Sequence, residues 1–418
     1  MKKSPVKELA IEGGKPVRAE PFPPRRLFGQ DEKAAAVAVF DEAIESGHAF
    51  GYGGPREKAY EAEFAESMGG GLAKGVNSGT SAVLAAVAAL ELEPGSEVIC
   101  PPITDPGGVM PVAMMNCVPV PADTNEFSFN AGPEQIQAAI SERTRAITVA
   151  HIMGEPVDMA PVMELARRHS LPVIEDCAQA HGATYRGRKV GTWGDVSVFS
   201  TMSGKHYASG AQGGVVFTRN EELFWKARRF MDRGKPFGLD EKTNVVMGLN
   251  LNSNELAAAI ARVQLRKLPE IVKRRREVAA AIGEGMKSLK SVRPGRVVEQ
   301  AEASYWFMRV TVDAAKLTVD KDTFAEALEA EGIPLMACYG HAPSGHVWFR
   351  QRRTYGRSGC PWTCPHYAGP GDAKYELPNC QAVVASNFLI STHENWGADE
   401  VRDTLAALAK VERAYLKR

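Results

Sequence analysis

Between residues 97 and 218 the chain places short, nearly continuous apolar runs between stretches whose apolar positions recur every three or four residues. The runs are Glu97 to Cys100, Ala146 to His151, Pro172 to Glu175, Val196 to Ser200 and Gly214 to Thr218. Strands buried on both faces read as such runs, so the alternation predicts a mostly parallel sheet covered by helices. Between the second and third runs, Val162, Leu165 and Ala166 fall on one helical face, with Asp158 placed to cap that helix, which makes a βαβ unit. After Asn254 a long helical pattern carries Leu256, Ile260 and Val263 on one side, and the basic run Lys273 to Arg276 reads as solvated surface. Beyond it, a β-like stretch from Trp306 to Val312, a helical one from Thr323 to Glu331, and a final helix with Val401, Leu405, Leu408 and Val411 predict a smaller α+β lobe. Near the start, Pro21, Pro23 and Pro24 around Phe22 are incompatible with helix or central strand, which leaves an arm lying on the body. The expected division is an arm at 1–29, a large domain at 30–275 and a small domain at 276–418.

Composition narrows the function classes. Lysine plus arginine (50) equals aspartate plus glutamate (50) in a chain of 418 residues, so no net field favours nucleic acid or an anionic membrane. The most apolar stretch, Ala82 to Leu90, is far shorter than the roughly 20 residues a membrane helix needs. The opening residues show no secretory pattern, and seven cysteines without regular spacing read as reduced thiols. The expectation is a cytoplasmic protein with neither nucleic-acid nor membrane partners.

Three segments carry candidate chemistry. Asn77-Ser78-Gly79-Thr80-Ser81 precedes an apolar helical run, where free backbone N–H groups at the helix start suit a phosphate, or where Ser78 is an ordinary cap. The strand Val173-Ile174-Glu175 ends in Asp176 and then Cys177-Ala178-Gln179-Ala180-His181-Gly182. Ligands of α/β sheets sit at the carboxyl ends of strands, so Asp176 faces a ligand, caps a helix or joins a buried salt bridge. Phe199-Ser200-Thr201-Met202-Ser203-Gly204-Lys205 follows another strand and leads to Gly213-Gly214. A lysine desolvated there has the neutral amine needed for Schiff-base chemistry, whereas most lysines are simply solvated.

Taken in order, these segments resemble the signatures of the DegT/DnrJ/StrS family of pyridoxal-phosphate sugar aminotransferases. Further likeness lies in Gly51-Tyr52-Gly53-Gly54-Pro55, Gly154-Glu155-Pro156-Val157-Asp158-Met159, Gly187-Arg188-Lys189-Val190-Gly191 and Gly248-Leu249-Asn250. The resemblance implies a fold-type I, aspartate aminotransferase-like α/β fold with a large, mostly parallel sheet domain and a smaller α+β C-terminal domain. It makes Lys205 the Schiff-base lysine and Asp176 the partner of the cofactor's pyridine nitrogen. It assigns Gln179 to the ring's phenolic oxygen side, and Gly79, Thr80 and Ser200 to the phosphate. Asn250 matches an asparagine that reaches a phosphate across the interface of a homodimer with shared sites. The implied reaction moves an amino group from glutamate or glutamine to a keto-sugar, nucleotide-linked or free, or to a keto-cyclitol. Alternatives on the same scaffold are a pyridoxal-phosphate dehydratase, a 3-amino-5-hydroxybenzoate synthase-like enzyme, or a degenerate regulator without catalysis.

Several positions depart from the family pattern. Pro102-Ile103-Thr104-Asp105-Pro106-Gly107 lacks the aromatic residue that often stacks on the cofactor. Gly210-Ala211-Gln212-Gly213-Gly214 is one residue longer than the usual loop, Arg233-Gly234 replaces His-Gly, and Asn252 replaces an arginine. His206 follows the lysine directly; in some relatives a histidine replaces that lysine and dehydration results, but here the lysine position is occupied, which leaves His206 a packing or proton-transfer neighbour. Cys360, Cys364, His366 and Cys380 are read as part of an insertion rather than as zinc ligands, with Trp362 and Tyr367 shaping the substrate pocket or packing, so no metal site is expected. His393 and Glu394 are candidates for orienting substrate or for capping the last helix.

Overall fold

The computed structural model describes residues 5–339 and 342–417; residues 1–4 of the arm lie outside it. The strands β1 (Leu72–Val76), β2 (Glu97–Cys100), β3 (Val118–Pro121), β4 (Thr144–Ala150), β5 (Val173–Asp176), β6 (Thr184–Tyr185), β7 (Arg188–Lys189), β8 (Val196–Ser200) and β9 (Gly214–Thr218) precede a 32-residue helix, Glu255–Met286. After it come β10 (Val292–Pro294), β11 (Ala301–Glu302), β12 (Met308–Val312), β13 (Leu335–Met336) and β14 (Asn387–Ile390).

All five apolar runs are strands of one seven-stranded sheet, ordered β1-β9-β8-β5-β4-β2-β3. Strands β3, β2, β4, β5 and β8 run parallel, and β9 is antiparallel to both β8 and β1. The carboxyl ends of β1, β2, β5 and β8 therefore open on the same edge, where ligands of such sheets collect. Two strands carry no apolar run. In β3, Val-Pro-Val-Pro occupies an edge, where a missing N–H is tolerated. In β1, Lys74 is buried because Glu57 and Glu61 of the preceding helix meet its amine at 3.0 and 2.6 Å.

The second sheet is antiparallel, in the order β10-β12-β14-β13, with helices Lys321–Ala330 and Ala398–Tyr415 packed against it. Val310, Phe324, Leu328, Phe388 and Leu408 form its core, and Leu9 of the arm is fully buried among them. A small antiparallel sheet, β11-β6-β7, ties the two parts together. The expected boundary at residue 275 falls inside the long helix, whose start is capped by Asn254 accepting from the Ala257 N–H at 2.9 Å. Among the described residues no helix is long and apolar enough to cross a membrane.

Two local expectations are corrected. Asp158 makes no side-chain cap; its carboxylate instead accepts from the Tyr185 hydroxyl. The run Lys273 to Arg276 is not uniformly solvated. Helical periodicity turns Arg275 inward, where it is 2% exposed and pairs with Glu394 at 2.8 Å.

Candidate active site

A cavity of about 250 Å³ opens at the shared strand edge and is walled by Ser78, Gly79, Thr80, Asp105, Asp176, Ser200, Lys205 and Gln212, among others. Each wall comes from a different strand end. After β1 the chain turns into the helix Gly79–Ala89, with Ser78 as N-cap accepting from the Ser81 N–H at 3.1 Å. The first-turn N–H groups and the helix dipole are thereby aimed at the cavity mouth, an arrangement that attracts an anion. A Cβ on Gly79 would lie 2.7 Å from that of Ser200, so only glycine lets the end of β8 approach this helix start so closely.

Asp176 closes β5. Its Oδ1 accepts from the Ala178 N–H at 2.9 Å. Burial pushes its carboxyl up from the ordinary value, and the Ala178 N–H and the nearby Lys205 offset part of that rise. Lys205 sits on the excursion between β8 and β9. This loop is pinned by Thr201 N–H to Gly213 O at 2.8 Å, Ser209 N–H to Thr201 O at 3.0 Å and Lys205 N–H to Met202 O at 2.9 Å. Gly214 is needed at its exit, since a Cβ there would meet the Ser78 carbonyl at 2.6 Å. Burial brings the Lys205 amine down to about 8, against the opposing pull of Asp176 and Asp105. A substantial neutral, nucleophilic fraction is then present near neutral pH.

The structure thus brings Gly79, Thr80, Asp176, Ser200 and Lys205 into one cavity and leaves two sequence candidates outside its walls. The Gln179 amide accepts from the Met153 N–H at 2.9 Å and donates to the Tyr339 hydroxyl at 2.8 Å. Asn250 is exposed on a surface loop, accepting from Asn252 Nδ2 at 2.9 Å. His206 also lies outside. It is fully buried with Nε2 3.1 Å from the Ser304 carbonyl, and burial holds it well below the usual histidine value, so it packs as a neutral ring.

The reading of Trp362 and Tyr367 as pocket residues is corrected. Trp362 is buried against Phe349 and Trp348, while the Tyr367 hydroxyl donates to Glu97 at 2.9 Å at the amino end of β2, opposite the strand ends that open on the cavity. Cys380 belongs to another cluster than Cys364, beside Leu377 and Leu389. His393 and Glu394 hold the arm: His393 Nε2 is 3.0 Å from the Pro23 carbonyl, and Glu394 accepts from Arg25 at 2.7 Å.

Sequence reasoning missed Trp306, whose ring centroid is 3.9 Å from the Lys205 amine, and Arg25. Both come from distant chain segments without a local motif. Asp105, known from sequence only as part of a departing loop, proves to be a second carboxylate in the cavity.

A family model, the DegT/DnrJ/EryC1/StrS aminotransferase family, matches residues 30–368. The chain belongs to this family. It is an aminotransferase, and its cofactor is pyridoxal phosphate. It is 32% identical to the L-glutamine:2-deoxy-scyllo-inosose aminotransferase of Micromonospora echinospora, over 96% of this chain and 97% of that protein. The dTDP-3-amino-3,4,6-trideoxy-alpha-D-glucose transaminase of Streptomyces venezuelae is 32% identical over 76% of this chain and 81% of its own. Among solved structures, an aminotransferase from Psychrobacter cryohalolentis superposes with a TM-score of 0.81 at 27% identity, covering 93% of this chain and 98% of that one.

The cavity of this aminotransferase fits the cofactor on its own chemistry. It offers a helix start for a phosphate, a buried carboxylate for a ring nitrogen, and a desolvated amine for an aldehyde, all within one space.

Proposed function

We propose that this aminotransferase moves the amino group of glutamine or glutamate to a keto-cyclitol or keto-sugar, with Lys205 as the cofactor lysine. The observation that carries the reading is the buried Lys205 amine in one cavity with Asp176 and the start of the helix Gly79–Ala89. Relatives aligned over nearly the whole chain, named for a keto-cyclitol acceptor, support the acceptor class.

When bound, pyridoxal phosphate supplies an electron sink that lets a substrate Cα–H bond break, and an aldehyde carbon that carries nitrogen between two half reactions. Backbone N–H groups at Gly79 and Thr80, with the Ser200 hydroxyl, hold the phosphate. The carboxylate of Asp176 keeps a proton on the ring nitrogen. Gln179, which donates to the Tyr339 hydroxyl at 2.8 Å just outside the cavity walls, would take the ring's phenolic oxygen side. As a free amine Lys205 would take the proton from the substrate's Cα and return one during product formation, a role that suits an amine whose pKa burial lowers. Histidine-run dehydration finds no support, since His206 is buried outside the cavity walls.

The protein works as a homodimer in this reading, with Asn250 of one copy completing the site of the other. Support comes from apolar side chains left on one face of the helix Gln30–Ser46, where Val37 is 45%, Phe40 48% and Ile44 78% exposed, and from Met247, 89% exposed, near Asn250. Free thiols at all the described cysteines agree with a cytoplasmic, reducing setting.

Incubation with pyridoxal phosphate, α-nitrogen-labelled glutamine and 2-deoxy-scyllo-inosose tests the proposal. Labelled amine in the cyclitol is the expected result. A product that has lost water and gained no nitrogen, or transfer that persists in Lys205→Ala, overturns it.

A further inference from the structure

The N-terminal arm passes directly behind the lysine loop. Arg25 donates from Nη1 to the Lys205 carbonyl at 2.6 Å and from Nη2 to the His206 carbonyl at 2.5 Å. Among the described residues no other donor reaches either carbonyl. Its Nε donates to Glu394 at 2.7 Å, and the other oxygen of Glu394 accepts from Arg275 at 2.8 Å. Arg275 in turn donates to the carbonyls of Tyr305 and Trp306 at 2.8 and 2.9 Å. The Trp306 indole overlies the Lys205 amine and donates from Nε1 to the Gly204 carbonyl at 2.7 Å. The contacts close a ring around the lysine: arm, second sheet, tryptophan and lysine loop.

We propose that Arg25 is a positioning residue for amino transfer, fixing the backbone from which Lys205 is presented and coupling it through Glu394 and Arg275 to the tryptophan above the amine. The arm would stay docked without it. Phe22 packs on Trp396 with ring centroids 4.6 Å apart, Asn395 donates to the Arg25 carbonyl, and Gln264 donates to the Leu27 carbonyl at 2.9 Å. The guanidinium is therefore not the arm's sole anchor. Its planar fork reaches two carbonyls and a carboxylate at once, which a lysine ammonium does with much poorer geometry. Burial pushes Glu394 upward, but Arg275 and Arg25 outweigh it and hold the carboxylate below its ordinary value, so the bridge stays ionised.

Loss of Arg25 leaves two loop carbonyls without their donor and lets Lys205 sample positions from which its amine misses the cofactor aldehyde. A misplacement of about 1 Å can cost up to about a hundredfold in a positioned reaction. The inference rests on Lys205 being the cofactor lysine, and its test separates the two claims. Apoenzymes of wild type, Arg25→Ala, Arg25→Lys and Arg18→Ala are mixed with pyridoxal phosphate. Capture is followed by absorbance, and the label is then located by borohydride reduction and peptide mapping. Arg18 anchors the same arm through Glu400 and Asp403 but touches no residue of the lysine loop.

Arg25→Ala is expected to capture the cofactor about tenfold more slowly or worse, with part of the rate restored by millimolar guanidinium, while Arg18→Ala captures at the wild-type rate. Equal rates for Arg25→Ala and wild type, or an equal loss in Arg18→Ala, overturn the proposal. If Arg25→Ala does not fold, Arg25→Lys decides: capture about threefold slower or worse supports the fork, and the wild-type rate overturns it. Label at Lys205 with no rate difference among variants removes the positioning role alone. Label at a different lysine in the wild type removes the site assignment and the positioning role together.

Discussion

The Lys205 amine lies 3.9 Å from the centroid of the Trp306 ring, an aromatic face contributed from beyond the long helix to an amine held on the large sheet. An aromatic face stabilises the ammonium form by about 1 kcal/mol, more where water is excluded, and so resists the downward push of burial on Lys205. Trp306→Leu is expected to lower the pH midpoint for cofactor capture by the apoenzyme by about half a unit or more. An unchanged or raised midpoint would show that the ring does not act on the amine's charge.

The pH dependence of capture in the wild type follows from the lysine itself. Neutral amine is the reactive form, so the rate should climb with pH and level off above about 8 rather than in the ordinary lysine range. The linkage has the same origin. Folding lowers this pKa, so the unfolded chain binds more protons between about 8 and the ordinary lysine value, and Lys205 adds stability to the apoprotein as pH rises through that window. Thermal melting of wild type and Lys205→Met across this range checks it, and parallel curves would contradict it.

Asp176→Asn separates electronics from folding. The amide keeps an oxygen for the Ala178 N–H and removes a buried charge whose pKa is raised by desolvation. A raised carboxylate pKa means that the charged form opposes folding above the unfolded value, so the variant should melt no lower than wild type at neutral pH. Turnover should fall by about a hundredfold or more, because nothing then holds the ring nitrogen protonated. Undiminished turnover would remove Asp176 from the mechanism.

Gly79→Ala places a methyl 2.7 Å from the Ser200 Cβ at the helix start. The clash is confined to Ser200 at the helix start, so the circular dichroism spectrum should show the fold retained. Ser200 must shift, and affinity for pyridoxal phosphate and for inorganic phosphate should both weaken by about tenfold in equilibrium titrations. Wild-type affinity for both anions would place the phosphate elsewhere.

What the sequence made legible was local. Runs such as Ala146 to His151 and Val196 to Ser200 are buried on both sheet faces, and hydrophobicity alone marks them. Strand β1 was missed because Lys74 reads as polar; its burial depends on Glu57 and Glu61, a compensation visible only once the helix is docked. Strand β3 was missed because its prolines are tolerated only at an edge, and edges are properties of a whole sheet. Asp176, Ser200 and Lys205 each end or follow a strand, the family resemblance groups them, and the structure lines one cavity with all three. Arg275 was misjudged, since a basic run conceals which member the helix turns inward. Trp306 and Arg25 meet the lysine through tertiary packing, and Trp362 and Tyr367 fill the outer side of β2 and β3 rather than the site.

The assignment of Lys205 as the lysine that carries the cofactor is tested most directly by borohydride reduction of the purified protein with pyridoxal phosphate, followed by peptide mapping. The account predicts the pyridoxyl group on the peptide containing Lys205 and its loss in Lys205→Ala. A pyridoxyl group on any other residue of the wild-type chain would contradict it.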